Sequence, residues 1–224
     1  MDETSRNQVG ERAVQVMAGA VILDGDLGVP DEPRGIVLFA HGSGSSRHSS
    51  RNRYVARVLQ QAGLATLLLD LLTAEEEAVD VTTRHLRFDI DLLSERLVAT
   101  ADWLAQEPET RGLSIGLFGA STGGGAALVA AARRPDLIAA VVSRGGRPDL
   151  AGPDLPHVEA PTLLIVGGAD TVVIELNESA RGQLTCPKDL RLVPGATHLF
   201  EEEGTLEEVS RLARDWFLRH LGTA

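Results

Sequence analysis

Apolar residues in this chain fall into short unbroken runs separated by stretches of helical spacing. The runs are Ile36-Val37-Leu38-Phe39-Ala40, Leu64 to Leu69, Leu113 to Phe118, Leu137 to Ser143 and Thr162 to Val166, while Leu190-Arg191-Leu192-Val193, interrupted by an arginine, reads as the last strand. Their length and continuity predict strands buried on both faces, as in a parallel sheet. Between them, Tyr54 to Ala62 has helical spacing and stops at Gly63. Phe88 to Gln106 carries Ile90, Leu93, Leu97, Ala101 and Leu104 on one helical face, and Gly124 to Arg134 is a helical run of small residues. Val173 to Leu184 and the amphipathic Thr205 to Leu221 complete the helices. Near the start, the alternation in Ala13 to Leu23, followed by Asp24-Gly25-Asp26, predicts one or two opening strands with a tight turn, forming an antiparallel edge. Gly42 to Asn52 reads as a Ser-rich loop, and Leu71 to Arg87 as a long, mostly irregular connection. Strand and helix alternate from residue 36 onward, which predicts the α/β class: a mostly parallel twisted sheet with helices on both faces. With no repeat or linker, residues 1–224 read as a single domain, with 1–12 a disordered or loosely attached tail.

Composition narrows the partners. No apolar run is long enough for a bilayer, and Met1 to Gln15 is polar, with both charge signs and no secretory core. Cys186 stands alone, so no disulfide closes within the chain, and the histidines show no metal-ligand spacing. These features together imply a cytoplasmic location and no membrane partner. A formal net charge of −11 opposes nucleic-acid binding. Lys188 is the sole lysine among many arginines, a bias that reads as composition rather than as a recognition surface. Glu75-Glu76-Glu77 and Glu201-Glu202-Glu203 read as solvated faces.

The chemistry concentrates at Gly119-Ala120-Ser121-Thr122-Gly123. A G-x-S-x-G pentapeptide between an apolar strand and a small-residue helix is the pattern of a nucleophile elbow. The alternative is a glycine-rich helix start with a capping Ser or Thr. A serine nucleophile needs a base, and the base needs an orienting carboxylate. Two later strand ends supply them. Leu163 to Val166 runs into Gly167-Gly168-Ala169-Asp170, and Leu192-Val193 into Pro194-Gly195-Ala196-Thr197-His198. The order Ser121, Asp170, His198 is the order this elbow requires. Taken singly, Asp170 could instead cap a helix, and His198 could be an ordinary loop histidine. His41-Gly42-Ser43-Gly44, directly after a strand, supplies the second half of an oxyanion hole. Its donors are expected to be the backbone N–H groups of Thr122 and Ser43, with Gly44 as the alternate, and His41 is read as hydrogen-bonding within the loop.

These motifs resemble the α/β-hydrolases, and within them the small dienelactone-hydrolase-like group. His-Gly at 41–42, Gly-x-Ser-x-Gly at 119–123, Gly-Gly-x-Asp at 167–170 and Gly-x-x-His at 195–198 carry the resemblance, which covers about residues 13 to 221. It implies the α/β-hydrolase fold and a serine hydrolase that forms an acyl-enzyme on a small ester, lactone or thioester, without a cofactor. Dienelactone hydrolases proper use a cysteine where this chain has Ser121, so dienelactone itself is not the implied substrate. His41 to Asn52 and Ser143 to Leu150 also resemble a bacterial hydrolase subgroup, some of whose relatives are fused to phosphoribosyltransferase-like domains. No such domain falls within these residues.

Only Arg144 to Pro161 separates two adjacent predicted strands, too little for a cap domain, so the site is expected to be open and Leu71 to Arg87 its main cover. Arg47, Arg51 and Arg53 lie near the oxyanion loop, and Arg144 and Arg147 follow a strand. Arg47 or Arg144, with Gly44 beside the loop, could hold a carboxylate-bearing substrate; the alternative is loop-fixing ion pairs. Gly123-Gly124-Gly125 lacks the spacing of a dinucleotide site, and Cys186 reads as space-filling. Two other functions fit the same residues. One is acyl transfer or perhydrolysis, separable by products formed with added alcohol or peroxide. The other is a non-catalytic accessory protein, separable by its failure to react with a serine probe. The sequence leaves the oligomeric state open.

Overall fold

The computed structural model describes residues 9–222. The chain opens with an antiparallel hairpin, β1 (Glu11–Ala18) and β2 (Val21–Gly28). Its turn is Gly19-Ala20, with Gly19 at φ 66°, and not Asp24-Gly25-Asp26 as the sequence suggested. Gly25 lies inside β2 and faces inward between Leu23 and Leu27, where a Cβ would meet Leu67 Cδ1 at 2.9 Å and Val14 Cγ2 at 3.2 Å. That glycine serves close strand packing rather than a reversal. Of the tail assigned to 1–12, positions 1–8 lie outside the described residues, and Glu11 and Arg12 pair with Gly28 and Leu27 in β1.

Six further strands follow: β3 (Ile36–Ala40), β4 (Ala65–Leu69), β5 (Ile115–Ala120), β6 (Ile138–Arg144), β7 (Thr162–Gly167) and β8 (Lys188–Val193). The sheet order is β1-β2-β4-β3-β5-β6-β7-β8, with β2 antiparallel to β4 and all later pairs parallel. Every residue of β3, β4, β5 and β7 is buried, which accounts for their unbroken apolar runs. The register sets Ala40 beside Leu69 and Gly119, Ala120 beside Arg144, and Gly167 beside Val193. The loops after these strands therefore emerge at one edge of the sheet, where ligand sites gather in open α/β folds.

The helices are α1 (Ser50–Gln61), α2 (Ala74–Thr83), α3 (Ile90–Leu104), α4 (Thr122–Arg133), α5 (Thr171–Gln183) and α6 (Thr205–His220). On one face, Val55 and Leu59 of α1 and Val209, Ala213 and Phe217 of α6 pack with Phe39 and Phe118. On the other, Leu93, Leu97 and Leu104 of α3, the alanines of α4 and Ala180 of α5 pack with Leu38, Leu117 and Leu164. Helix α2 occupies the connection read as irregular. Its start signal is Thr73-x-x-Glu76, a reciprocal capping box in which Thr73 Oγ1 accepts the Glu76 N–H and Glu76 accepts the Thr73 N–H. Its apolar content is low, so periodicity did not reveal it. Between β6 and β7, residues Pro148–His157 form tight 3-10 turns broken at Gly152, and no cap domain rises there. Among the described residues no helix is long and apolar enough to cross a membrane.

Candidate active site

Ser121 sits between β5 and α4 with φ 51° and ψ −121°, a conformation that L-residues rarely adopt. The neighbouring loop holds it there: the Ser121 N–H donates to Arg144 O at 3.3 Å, and its carbonyl accepts from Gly124 and Arg147, both at 3.0 Å. The two glycines of the pentapeptide are required by contact. A Cβ on Gly119 would lie 2.5 Å from Gly124 Cα, and one on Gly123 would lie 2.6 Å from His41 O and press on Ala40 O. Gly123→Ala is therefore expected to destabilise the fold by about 3 kcal/mol, because the backbone at Ala40 and His41, held at the end of a central strand, cannot give way. Urea denaturation beside wild type measures this, and an unchanged midpoint would show that the turn is looser than described.

Asp170 stands at the head of α5, and its side chain caps nothing there. It instead accepts a 2.8 Å hydrogen bond from His198 Nδ1, with the carboxylate largely buried. Close contact between the two loops makes this possible. Ala169 N–H donates to Ala196 O at 2.9 Å, and a Cβ on Gly167 would sit 2.5 Å from the carbonyls of Ala196 and Thr197. Phe200, buried at φ 55°, anchors the far side of the His198 loop. With its proton on Nδ1, His198 keeps a free lone pair on Nε2. Such a ring can accept a proton from a hydroxyl.

The β3 loop closes over the serine. A Cβ on Gly42 would approach Ser121 Cβ to 3.1 Å, a tight contact that would press the loop against the serine. The backbone N–H groups of Ser43 and Thr122 donate to no other group among the described residues. His41 ties this loop to the next: its Nδ1–H donates to Gly42 O at 2.9 Å, and Leu71 N–H donates to its Nε2 at 3.1 Å. This pairing requires a neutral ring. Burial, opposed by the weaker pull of Gly42 O and nearby carboxylates, holds its pKa below the ordinary value. The unfolded chain takes up that proton at about pH 6.5, and the folded chain resists it. The stabilisation is thus fully present above that pH and is lost as pH falls through the lower folded value. The urea midpoint should drop between pH 7 and pH 5, and by less in His41→Gln. An equal drop in both would remove His41 from the account.

Ser121 and His198 line one cavity of about 240 Å³ together with Gly42, Ser43, Ser45, Ser49, Arg51, Asn52, Ala120, Arg144 and Leu199. Gly44, at φ 69°, lies on two adjoining hollows rather than on this one. Arg47 is also absent from its wall; its guanidinium pairs with Asp70 and lies 3.7 Å from Asp26. Arg53 pairs with Asp26 and Glu11, and Arg147 with Asp149. Loop-fixing ion pairs thus account for these three arginines, whereas Arg144 faces the cavity. Asn52, buried and 3.4 Å from Arg144 Nη2, escaped sequence reasoning. Its signal was the Ser49-x-x-Asn52 cap at the start of α1, where Ser49 Oγ accepts the Asn52 N–H. Cys186 is buried, donates a weak hydrogen bond to Thr162, and is pushed by burial above the usual thiol pKa.

Known proteins share this fold. The Dienelactone hydrolase family profile matches residues 23–220. The structure of a dienelactone hydrolase from Anabaena variabilis is 64% identical, with a TM-score of 0.94 over 96% of this chain and 99% of that one. Est1E from Butyrivibrio proteoclasticus shares the fold at 18% identity and a TM-score of 0.77, covering 92% of this chain and 98% of its own. A Mycobacterium tuberculosis H37Rv protein, provisionally named a phosphoribosyl transferase, is 59% identical over 99% of this chain. The chain spans about half the length of that relative, 49% of it.

Proposed function

The chain belongs to the dienelactone hydrolase family, and on that premise we propose that it hydrolyses a small carboxylic ester, lactone or thioester through an acyl-enzyme on Ser121. The 2.8 Å bond from His198 Nδ1 to Asp170 carries the reading. It fixes the tautomer in which Nε2 can act as base, on a ring that shares a cavity with Ser121. Ser121 Oγ attacks the acyl carbonyl as His198 Nε2 takes its proton. The N–H groups of Ser43 and Thr122 receive the negative charge that develops on the carbonyl oxygen. His198 then gives the proton to the leaving alcohol or thiol. A water molecule, activated by the same nitrogen, cleaves the acyl-enzyme and frees the acid.

A hydroxyl is a far weaker nucleophile than a thiolate, so the reaction depends on the His198–Asp170 pair. Fold likeness to esterases adds only the scaffold, and the name of the mycobacterial relatives belongs to proteins about twice as long. The proposed location is the cytoplasm, and the proposed partner is the acyl substrate alone. Stopped-flow hydrolysis of 4-nitrophenyl acetate tests the two-step scheme. The expected result is a burst of nitrophenolate approaching one equivalent per chain, followed by slower turnover. Hydrolysis that persists undiminished in a Ser121→Ala, His198→Ala double variant would point to chemistry outside this site.

A further inference from the structure

Three features meet on one wall of the Ser121 cavity. The first is Arg144, which closes β6 and is only 8% exposed. Its Nη2 donates a long 3.4 Å bond to Asn52 Oδ1, and its Nη1 is buried without a partner. It forms no ion pair among the described residues, although the chain carries 32 carboxylate side chains and Arg47, Arg53, Arg87 and Arg147 at the same edge are all paired. Burial, and then the charge of Arg51, pushes its pKa down to about 10, so the group stays cationic near neutrality. The second feature is Arg51 itself, whose one ion pair among the described residues is a 3.4 Å contact with the exposed Glu201. The third is the N-terminus of α1. Its cap Ser49 and first-turn residues Arg51 and Asn52 line the cavity, and no acidic residue occupies that first turn.

A buried guanidinium without a counterion is costly, and the positive end of a helix beside it adds to the field. All three features favour an oxyanion at the same place. We propose that this wall is an anion subsite, binding a carboxylate or phosphate that the substrate carries in addition to the acyl group attacked by Ser121. The hydroxyls of Ser45 and Ser49 line the same space and can donate to it. With a volume of about 240 Å³, the cavity requires both groups to sit on one small molecule. The substrate class is therefore a short anionic ester, lactone or thioester. This inference rests on the serine-hydrolase reading above.

Wild type, Arg144→Gln, Arg144→Lys and Arg51→Gln are compared on 4-nitrophenyl esters of matched length: a neutral butyrate, a hemisuccinate and a 3-phosphonopropanoate. The wild-type kcat/KM is expected to favour an anionic ester over the neutral one by about tenfold or more. Preference for the hemisuccinate assigns the site to carboxylate, and preference for the phosphonate to phosphate. Arg144→Gln should collapse the preference by about tenfold, chiefly through KM, with partial rescue in Arg144→Lys and a smaller loss in Arg51→Gln. Fluorophosphonate labelling of Ser121 in each protein separates the two levels. Intact labelling with an unchanged preference in both glutamine variants overturns the anion subsite alone, whereas no labelling of wild type overturns the reading beneath it. Should Arg144→Gln fail to fold, Arg51→Gln and competitive inhibition of butyrate hydrolysis by succinate or inorganic phosphate carry the test; no inhibition by either anion, with preference unchanged in Arg51→Gln, overturns the subsite.

Discussion

Ser121→Ala is expected to lower kcat on an activated ester by roughly 10⁵- to 10⁶-fold while leaving the fold intact. At 1.36 kcal/mol per decade, this is about 7–8 kcal/mol of transition-state stabilisation, more than any other single change here should remove. The stability side follows from the backbone. Serine and alanine both place a Cβ on a residue at φ 51° and ψ −121°, so both bear the same strain. The alanine melting curve should match wild type. Glycine at 121 carries no Cβ, and relief of that strain should raise stability by about 1 kcal/mol. Kinetics on 4-nitrophenyl acetate and urea denaturation of the three proteins check both statements. A slow but folded Ser121→Ala beside a more stable Ser121→Gly is the signature of a strained nucleophile. A stable alanine variant with turnover within tenfold of wild type removes Ser121 from the chemistry.

The second large effect belongs to Asp170→Asn, expected to reduce kcat by about 10³- to 10⁴-fold. The carboxylate accepts the Nδ1–H of His198 at 2.8 Å. An amide in its place can donate to Nδ1 instead, which favours the tautomer with its proton on Nε2. The ring then cannot take a proton from Ser121. Geometry is preserved and only the base is lost. The competing role, capping α5, predicts no loss of rate, because Asn caps a helix about as well as Asp; only Asp170→Ala would remove a cap, at about 1 kcal/mol of stability. Because the Asp170 side chain makes no cap hydrogen bond, the unfolding midpoint of Asp170→Asn should stay within about 0.5 kcal/mol of wild type. Measured together, kcat decides between the two roles and the midpoint shows that the variant is folded.

Much of this was legible in the chain before its folding was known. The runs at 36–40 and 64–69, and the part of the third from Ile115 to Phe118, could be read as parallel strands because each is buried on both faces, leaving no polar alternation to confuse the period. The glycine motifs were legible for a related reason: Gly119, Gly123 and Gly167 sit where another backbone passes within contact, a demand only glycine meets. What escaped was partly tertiary and partly local. The hairpin turn moved to Gly19-Ala20 because Gly25 packs against Leu67, a neighbour 42 positions away. Helix α2 was missed because its start is written in side-chain capping, not in apolar spacing. The arginines could not be sorted from sequence, since Arg47 finds Asp70 and Arg144 finds no carboxylate only after the loops assemble.

The most direct test of the account is labelling of the wild-type protein and Ser121→Ala with a fluorophosphonate, with the adduct located by mass spectrometry. An activated serine reacts, whereas unactivated hydroxyls such as those of Ser43, Ser45 and Ser49 in the same cavity do not. A single adduct is expected on Ser121 and none on the alanine variant. A folded wild-type protein that takes up no label, or takes it on another serine, would contradict it.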